Sequence, residues 1–120
     1  MSQAADLVDS YLSAIAGRDF DAARRLLADQ GFSYLSPIAS FDDPDAYIAS
    51  MEGVGAILHS IKTLHRFVDG DVVCHVMDIK YSMAGYQTRR AVQLAYVQGD
   101  RIQRLEVLFD ASEYHQMIGG

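Results

Sequence analysis

The 120 residues suffice for one domain with a real core and are too few for two well-separated ones. Half of them are hydrophobic and 22% are charged, which excludes a disordered tail, and no apolar run approaches the roughly 18 residues needed to cross a bilayer. Ten Lys+Arg against sixteen Asp+Glu leave a formal charge of −6, and the adjacent basic pairs are Arg24-Arg25 and Arg89-Arg90 alone. Phosphate backbones and anionic membranes are gripped by clustered cations, so neither nucleic acid nor a membrane surface is an expected partner.

The elements follow in chain order. Ser2 can cap a first helix in which Leu7, Val8, Tyr11, Leu12 and Ile15 recur at three and four, until Gly17 stops it. Asp19 caps a second helix, with Phe20, Ala23, Leu26 and Leu27 on one side and Gly31 beyond its end. A short extended run from Phe32 to Ser36 closes at Pro37. Asp43-Pro44 opens a third helix, which Gly53 and Gly55 are expected to bend or interrupt before Ile57, Leu58 and Ile61. Strands then follow over Lys62–Val68, Val72–Met83, Tyr86–Val97 and Arg101–Phe109, with turns at Asp69-Gly70-Asp71, Ala84-Gly85 and Gln98-Gly99-Asp100. Asp110 and Glu113 are spaced as a capping box for a last helix, Ala111–Met117. Helices followed by an antiparallel meander predict one α+β domain over residues 1–120, its helices packed on one face of a curved sheet.

Sharp chemical motifs are few. Gly53-Val54-Gly55 follows a helix start, and Leu58 stands where a dinucleotide fingerprint needs its third glycine. His59, His65, His75 and His115 include no pair three or four apart, so no metal is expected, and no cofactor motif is present. Cys74 is the single cysteine and reads as a small buried hydrophobe outside any disulfide framework. The opening MSQAADLVDS has two acids and no basic or apolar signal region, so a cytoplasmic location is expected.

A weak pattern spans roughly residues 5–117. Tyr11 to Phe20 resembles the first-helix signature of the NTF2-like (SnoaL-like) superfamily, whose members share a cystatin-like α+β fold. Ser36-Pro37 with Phe41 and the run Asp43–Ile48 resembles its strand-to-helix crossing. Val68–Val73 and Gly99–Ile102 resemble its hairpins, and Leu105–Asp110 its last strand. The resemblance implies a cone in which a strongly curved antiparallel sheet wraps N-terminal helices around an apolar pocket. The family includes ketosteroid isomerases, epoxide hydrolases, polyketide cyclases, dehydratases and members without catalysis, so fold alone decides no reaction.

The resemblance also implies roles. The isomerases place an oxyanion-donating tyrosine where Tyr11 falls, and a phenol in a dry cavity is a strong donor to a developing enolate. Their carboxylate base falls at Ser36, and serine is a poor base without a partner. The hydrolases and cyclases use an aspartate where this chain has Val107, and the hydrolases' second carboxylate falls near Val92 or Gln93. The known acid/base sets are therefore absent.

Alternation sorts the faces. Leu105, Val107 and Phe109 share one side of the last strand, and Ala91, Gln93, Ala95 and Val97 form a small-residue side with Gln93 as polar anchor. Asp78 lies opposite His75 on its strand and is expected to pair with a cross-strand base. The leading expectation is a small-molecule-binding domain for a compact apolar or amphipathic ligand. Its lining would be Tyr11, Tyr34, Ser36, Gln93, Leu105, Val107 and Phe109. The alternative is a cofactor-free isomerase, dehydratase or cyclase-like enzyme with Tyr11 as donor and His75 as base. Val92, Leu94 and Tyr96 on the opposite sheet face predict a homodimer.

Overall fold

The computed structural model describes residues 2–82 and 85–112. Helix α1 (Gln3–Ala16) starts where Ser2 Oγ accepts from the Ala5 amide, and it buries Val8, Tyr11, Leu12 and Ile15. Helix α2 (Phe20–Arg25) is capped by Asp19, and strands β1 (Ser33–Leu35) and β2 (Ser40–Phe41) form a short hairpin. Helix α3 (Pro44–Gly55) begins with Asp43 accepting from the Asp45 amide and with proline in its first turn, where no amide hydrogen is needed.

Four long strands follow: β3 (Leu58–Asp69), β4 (Val72–Ser82), β5 (Tyr86–Gln98) and β6 (Arg101–Phe109). They join β1 and β2 in one six-stranded sheet of order β2-β1-β6-β5-β4-β3. The sheet is mixed and not wholly antiparallel, because β1 runs parallel to β6, pairing Tyr34 with Leu105. The chain entering from α2 first docks along β6 through a parallel bridge between Leu27 and Ile102, and this sets the direction of β1. Residue alternation reports faces but not strand direction, so the pattern could not show it.

The third helix is interrupted before Ile57, as expected from Gly53 and Gly55. It passes straight through Gly53 and stops at Gly55, and Leu58 already belongs to β3, paired with Tyr81. A Cβ on Gly55 would lie 2.7 Å from Phe20 Cζ, so helix α2 packs onto bare backbone there. Arg18, at a left-handed φ of 59°, donates through Nε to the Gly55 carbonyl (2.8 Å) and through Nη2 to that of Leu58. These bonds satisfy carbonyls at the helix end and offset a conformation that costs about 1 kcal/mol for a residue with a Cβ.

The concave face carries the core. Val73, Ala95, Leu105 and Tyr34 lie on one row across four strands; His75, Gln93 and Val107 form the next, and Met77, Ala91 and Phe109 the third. The convex face holds Cys74, which is half-buried and not in the core as expected. The expected pairing of Asp78 is present, with Arg90 Nε 2.6 Å away. Asp110 Oδ1 accepts from the Ser112 amide (2.9 Å), as a cap does; the remainder of the expected last helix, including Glu113, lies outside the described residues.

Candidate functional site

Tyr11 stands on the buried stripe of α1, one turn from Val8 and from Ile15, so its phenol enters the interior. A buried hydroxyl needs a partner. It finds one in the hydroxyl of Tyr47, which α3 delivers from its own buried stripe with Pro44 and Ile48. Both tyrosines are at most 3% exposed. Around them is an aromatic box: Tyr34 stacks on Tyr47 at 4.4 Å, with Phe32 at 5.6 Å and Phe41 at 6.0 Å. Burial pushes the Tyr11 and Tyr47 phenols well above the ordinary value, so both stay neutral donors at physiological pH. Burial also raises Tyr34, opposed by a hydrogen bond with Ser36.

Tyr47 is a site residue that sequence reading did not single out. The signal was present, since Tyr47, Ile48 and Met51 repeat at helical spacing as Tyr11, Leu12 and Ile15 do. Two phenols on two apolar stripes each demand a polar partner, and they can serve each other.

Ser36 is buried but engaged locally: its Oγ accepts from the Ile38 amide (3.3 Å) and donates to the Ala39 carbonyl (3.4 Å). It is a turn residue, with no partner that could make it a base. Leu105 is fully buried, and Val107 and Phe109 pack against the same core. His75 and Gln93 are directly opposed in the β4–β5 register, at 0% and 3% exposure. His75 Nε2 lies 2.9 Å from Asp9 Oδ1, and the other Asp9 oxygen pairs with Arg66. Thus Tyr11, Tyr34 and Ser36 gather around or next to Tyr47, while His75 and Gln93 face each other across β4 and β5 on the row next to that of Tyr34.

Two open clefts flank α1 and α3. One, of about 450 Å³, is bounded by Tyr34, Phe41, Asp43, Ala46 and Arg104, in front of the tyrosine pair. The other, of about 560 Å³, runs between Asp9, Leu12 and Ser13 of α1 and Ile61, Thr63 and Arg66 of β3. Tyr11, His75 and Gln93 line neither cleft. Among the described residues no three His, Cys, Asp or Glu side chains converge as metal ligands would, and no helix is long and apolar enough to cross a membrane.

A curved sheet closed by three helices, with phenols buried against its concave face, is the architecture of an NTF2-like domain. A protein from Kribbella flavida is 30% identical, with 92% of this chain and 89% of that one aligned at a TM-score of 0.81. An NTF2-like protein of unknown function from Cytophaga hutchinsonii is 26% identical over 92% of this chain and 93% of its own, at a TM-score of 0.79. An LEH-like epoxide hydrolase of M. tuberculosis shares the fold at 16% identity, covering 95% and 87% of the two chains with a TM-score of 0.81. A protein with a ketosteroid isomerase-like fold is also among the structural neighbours. No protein-family model and no curated protein matches the sequence. The chain belongs to the NTF2-like superfamily.

Proposed function

We propose that this chain binds a compact, largely apolar small molecule bearing an oxygen acceptor, taken up at the Tyr11–Tyr47 pair behind the cleft of Tyr34 and Phe41. The carrying observation is the bond between two fully buried phenols. Two hydroxyls bring two protons, and the bond between them uses one. The second O–H is a donor in a dry aromatic box, and its natural complement is a carbonyl or an oxyanion. The rings of Tyr34, Phe41 and Phe32 supply the apolar walls.

The test is binding of one- to three-ring ketones, led by 2-acetylnaphthalene, with 2-ethylnaphthalene as the isostere lacking an acceptor. The ketone should bind about tenfold more tightly than the hydrocarbon, the worth of one good hydrogen bond. That advantage should vanish in the Tyr11→Phe/Tyr47→Phe double variant, which leaves no hydroxyl in the box. The reading fails if no ketone binds at a concentration on the order of 1 mM, or if the double variant keeps the preference for the ketone over the hydrocarbon.

The second reading is a cofactor-free isomerase, dehydratase or cyclase-like enzyme with Tyr11 as donor and His75 as base. It is supported by the neutral phenol pair, the donor half of enolate stabilisation. Ser36, committed to its turn, supplies no base, so this reading rests on His75.

A further inference from the structure

On the concave face two side chains share an unusual condition. His75 Nδ1 and Gln93 Nε2 are both buried, and neither has a hydrogen-bond partner among the described residues. They come from residues directly opposed in the β4–β5 register. A polar atom left unpaired in the interior costs about 1–3 kcal/mol, so two together on one row need a physical reason.

The second nitrogen of the imidazole shows how this pair is built. Asp9 Oδ1 stands 2.9 Å from His75 Nε2, and Asp9 is held in turn by Arg66. A carboxylate paired with a guanidinium only accepts, so Nε2 must carry the ring hydrogen. In the neutral ring this leaves Nδ1 as a bare acceptor, facing the same interior as the amide hydrogens of Gln93. Ala91 and Ala95, two residues either side of Gln93 on the same face, add little bulk beside it. An acceptor beside a donor, with apolar surroundings, is complementary to one kind of group: a donor beside an acceptor.

We propose that Asp9, His75 and Gln93 form a polar subsite for a neutral group carrying a hydrogen-bond donor next to an acceptor, of which a primary carboxamide is the simplest. Asp9 is a positioning residue: it fixes the tautomer of His75. His75 Nδ1 then accepts from the ligand N–H or O–H, and Gln93 donates to its carbonyl. The subsite deepens the small-molecule reading above and rests on it, because it supposes that the concave face opens to a ligand.

The experiment uses the whole chain, 15N-labelled at histidine, with 2-naphthamide and N,N-dimethyl-2-naphthamide as probes. Without probe, the His75 ring should show a protonated Nε2 and an unprotonated Nδ1. In Asp9→Asn that single tautomer should give way to a mixture, because an amide can also donate to Nε2. 2-Naphthamide should bind at least tenfold more tightly than its dimethyl analogue and shift Nδ1, and Gln93→Met should abolish most of the difference. An Nδ1-protonated ring in the free protein would overturn the proposal. So would equal binding of the two amides, or binding that leaves Nδ1 unmoved. If Gln93→Met does not fold, the tautomer and the amide comparison still decide. Binding of 2-acetylnaphthalene with its dependence on the tyrosine pair intact, alongside equal binding of the amides, refutes the subsite and leaves the tyrosine reading standing. Loss of ketone binding refutes the latter.

Discussion

The bond between Tyr11 and Tyr47 makes an energetic prediction that a double-mutant cycle can read. Tyr11→Phe keeps the ring in its stripe and removes one hydroxyl, leaving that of Tyr47 buried inside the box of Tyr34, Phe32 and Phe41. Losing the net bond costs about 1 kcal/mol, and stranding a buried donor brings the total to about 1–3 kcal/mol. Tyr47→Phe is the mirror case and should cost a similar amount. The double variant removes both hydroxyls and strands neither, so it should cost less than the sum of the two singles by about 1 kcal/mol or more. Urea denaturation supplies the three free energies, and for a domain of this size each kcal/mol moves Tm by roughly 3–6 °C. Strict additivity, or single losses under about 0.5 kcal/mol, would show that the two hydroxyls do not depend on each other, and the ligand argument would lose its donor.

Three further outcomes are expected. Light scattering at micromolar concentration should give twice the 13.3 kDa chain mass, through the convex face where Val92, Leu94 and Tyr96 are half-buried and Phe67 and Leu108 stand more than half exposed; a one-chain mass refutes it. Alkaline stability should be flat up to about pH 10 and then fall. The unfolded chain ionises its tyrosines from the ordinary value of 10.0 upward, while Tyr11 and Tyr47 are held protonated by burial, so their phenolate absorbance should appear only with unfolding. Gly53→Ala, with open space at its Cβ, should stabilise by about 0.5–1 kcal/mol, whereas Gly55→Ala should lose stability as Phe20 is displaced; the reverse order in denaturant midpoints would contradict the packing at the end of α3.

The helices and long strands were legible because each buries one periodic stripe: Val8, Tyr11, Leu12 and Ile15 on α1, and Val73, His75 and Met77 on β4. The parallel pairing of β1 with β6 was not, because it depends on Leu27 meeting Ile102, a contact between residues seventy-five apart in sequence. Local pattern carries no information on such closures. The interruption of α3 was legible in Gly53 and Gly55, but not which of the two ends it: the contacts of Gly55 with Phe20 and Arg18 exist only in the fold. In the site, Tyr11, Tyr34 and Gln93 could be picked out from face and alternation. Their partners could not, since both Tyr47 and Asp9 are defined by the side chains they reach across the core.

Whether the site turns over a substrate is a question about where a proton can go. At the tyrosine end the phenols are held neutral by burial and Ser36 Oγ closes its own turn, while the carboxylates of Asp42 and Asp43 line the cleft beside Tyr34. A ketone bound there would be polarised, but neither the phenols nor Ser36 can take a proton from its α-carbon. His75, the remaining candidate, has one nitrogen fixed by Asp9. Its other nitrogen lies on the row of Gln93 and Val107, three strand spacings of about 4.8 Å from β1, where Tyr34 sits. The enzyme reading requires this nitrogen and a phenol to reach one carbonyl group and its α-carbon together, and the binding reading requires that they do not. In D2O, bound 2-acetylnaphthalene should therefore exchange its methyl protons no faster than the free ketone in buffer, as followed by proton NMR. Exchange accelerated a hundredfold or more, the usual range for a positioned base, and lost in His75→Gln, would refute this reasoning and make the enzyme reading the better one.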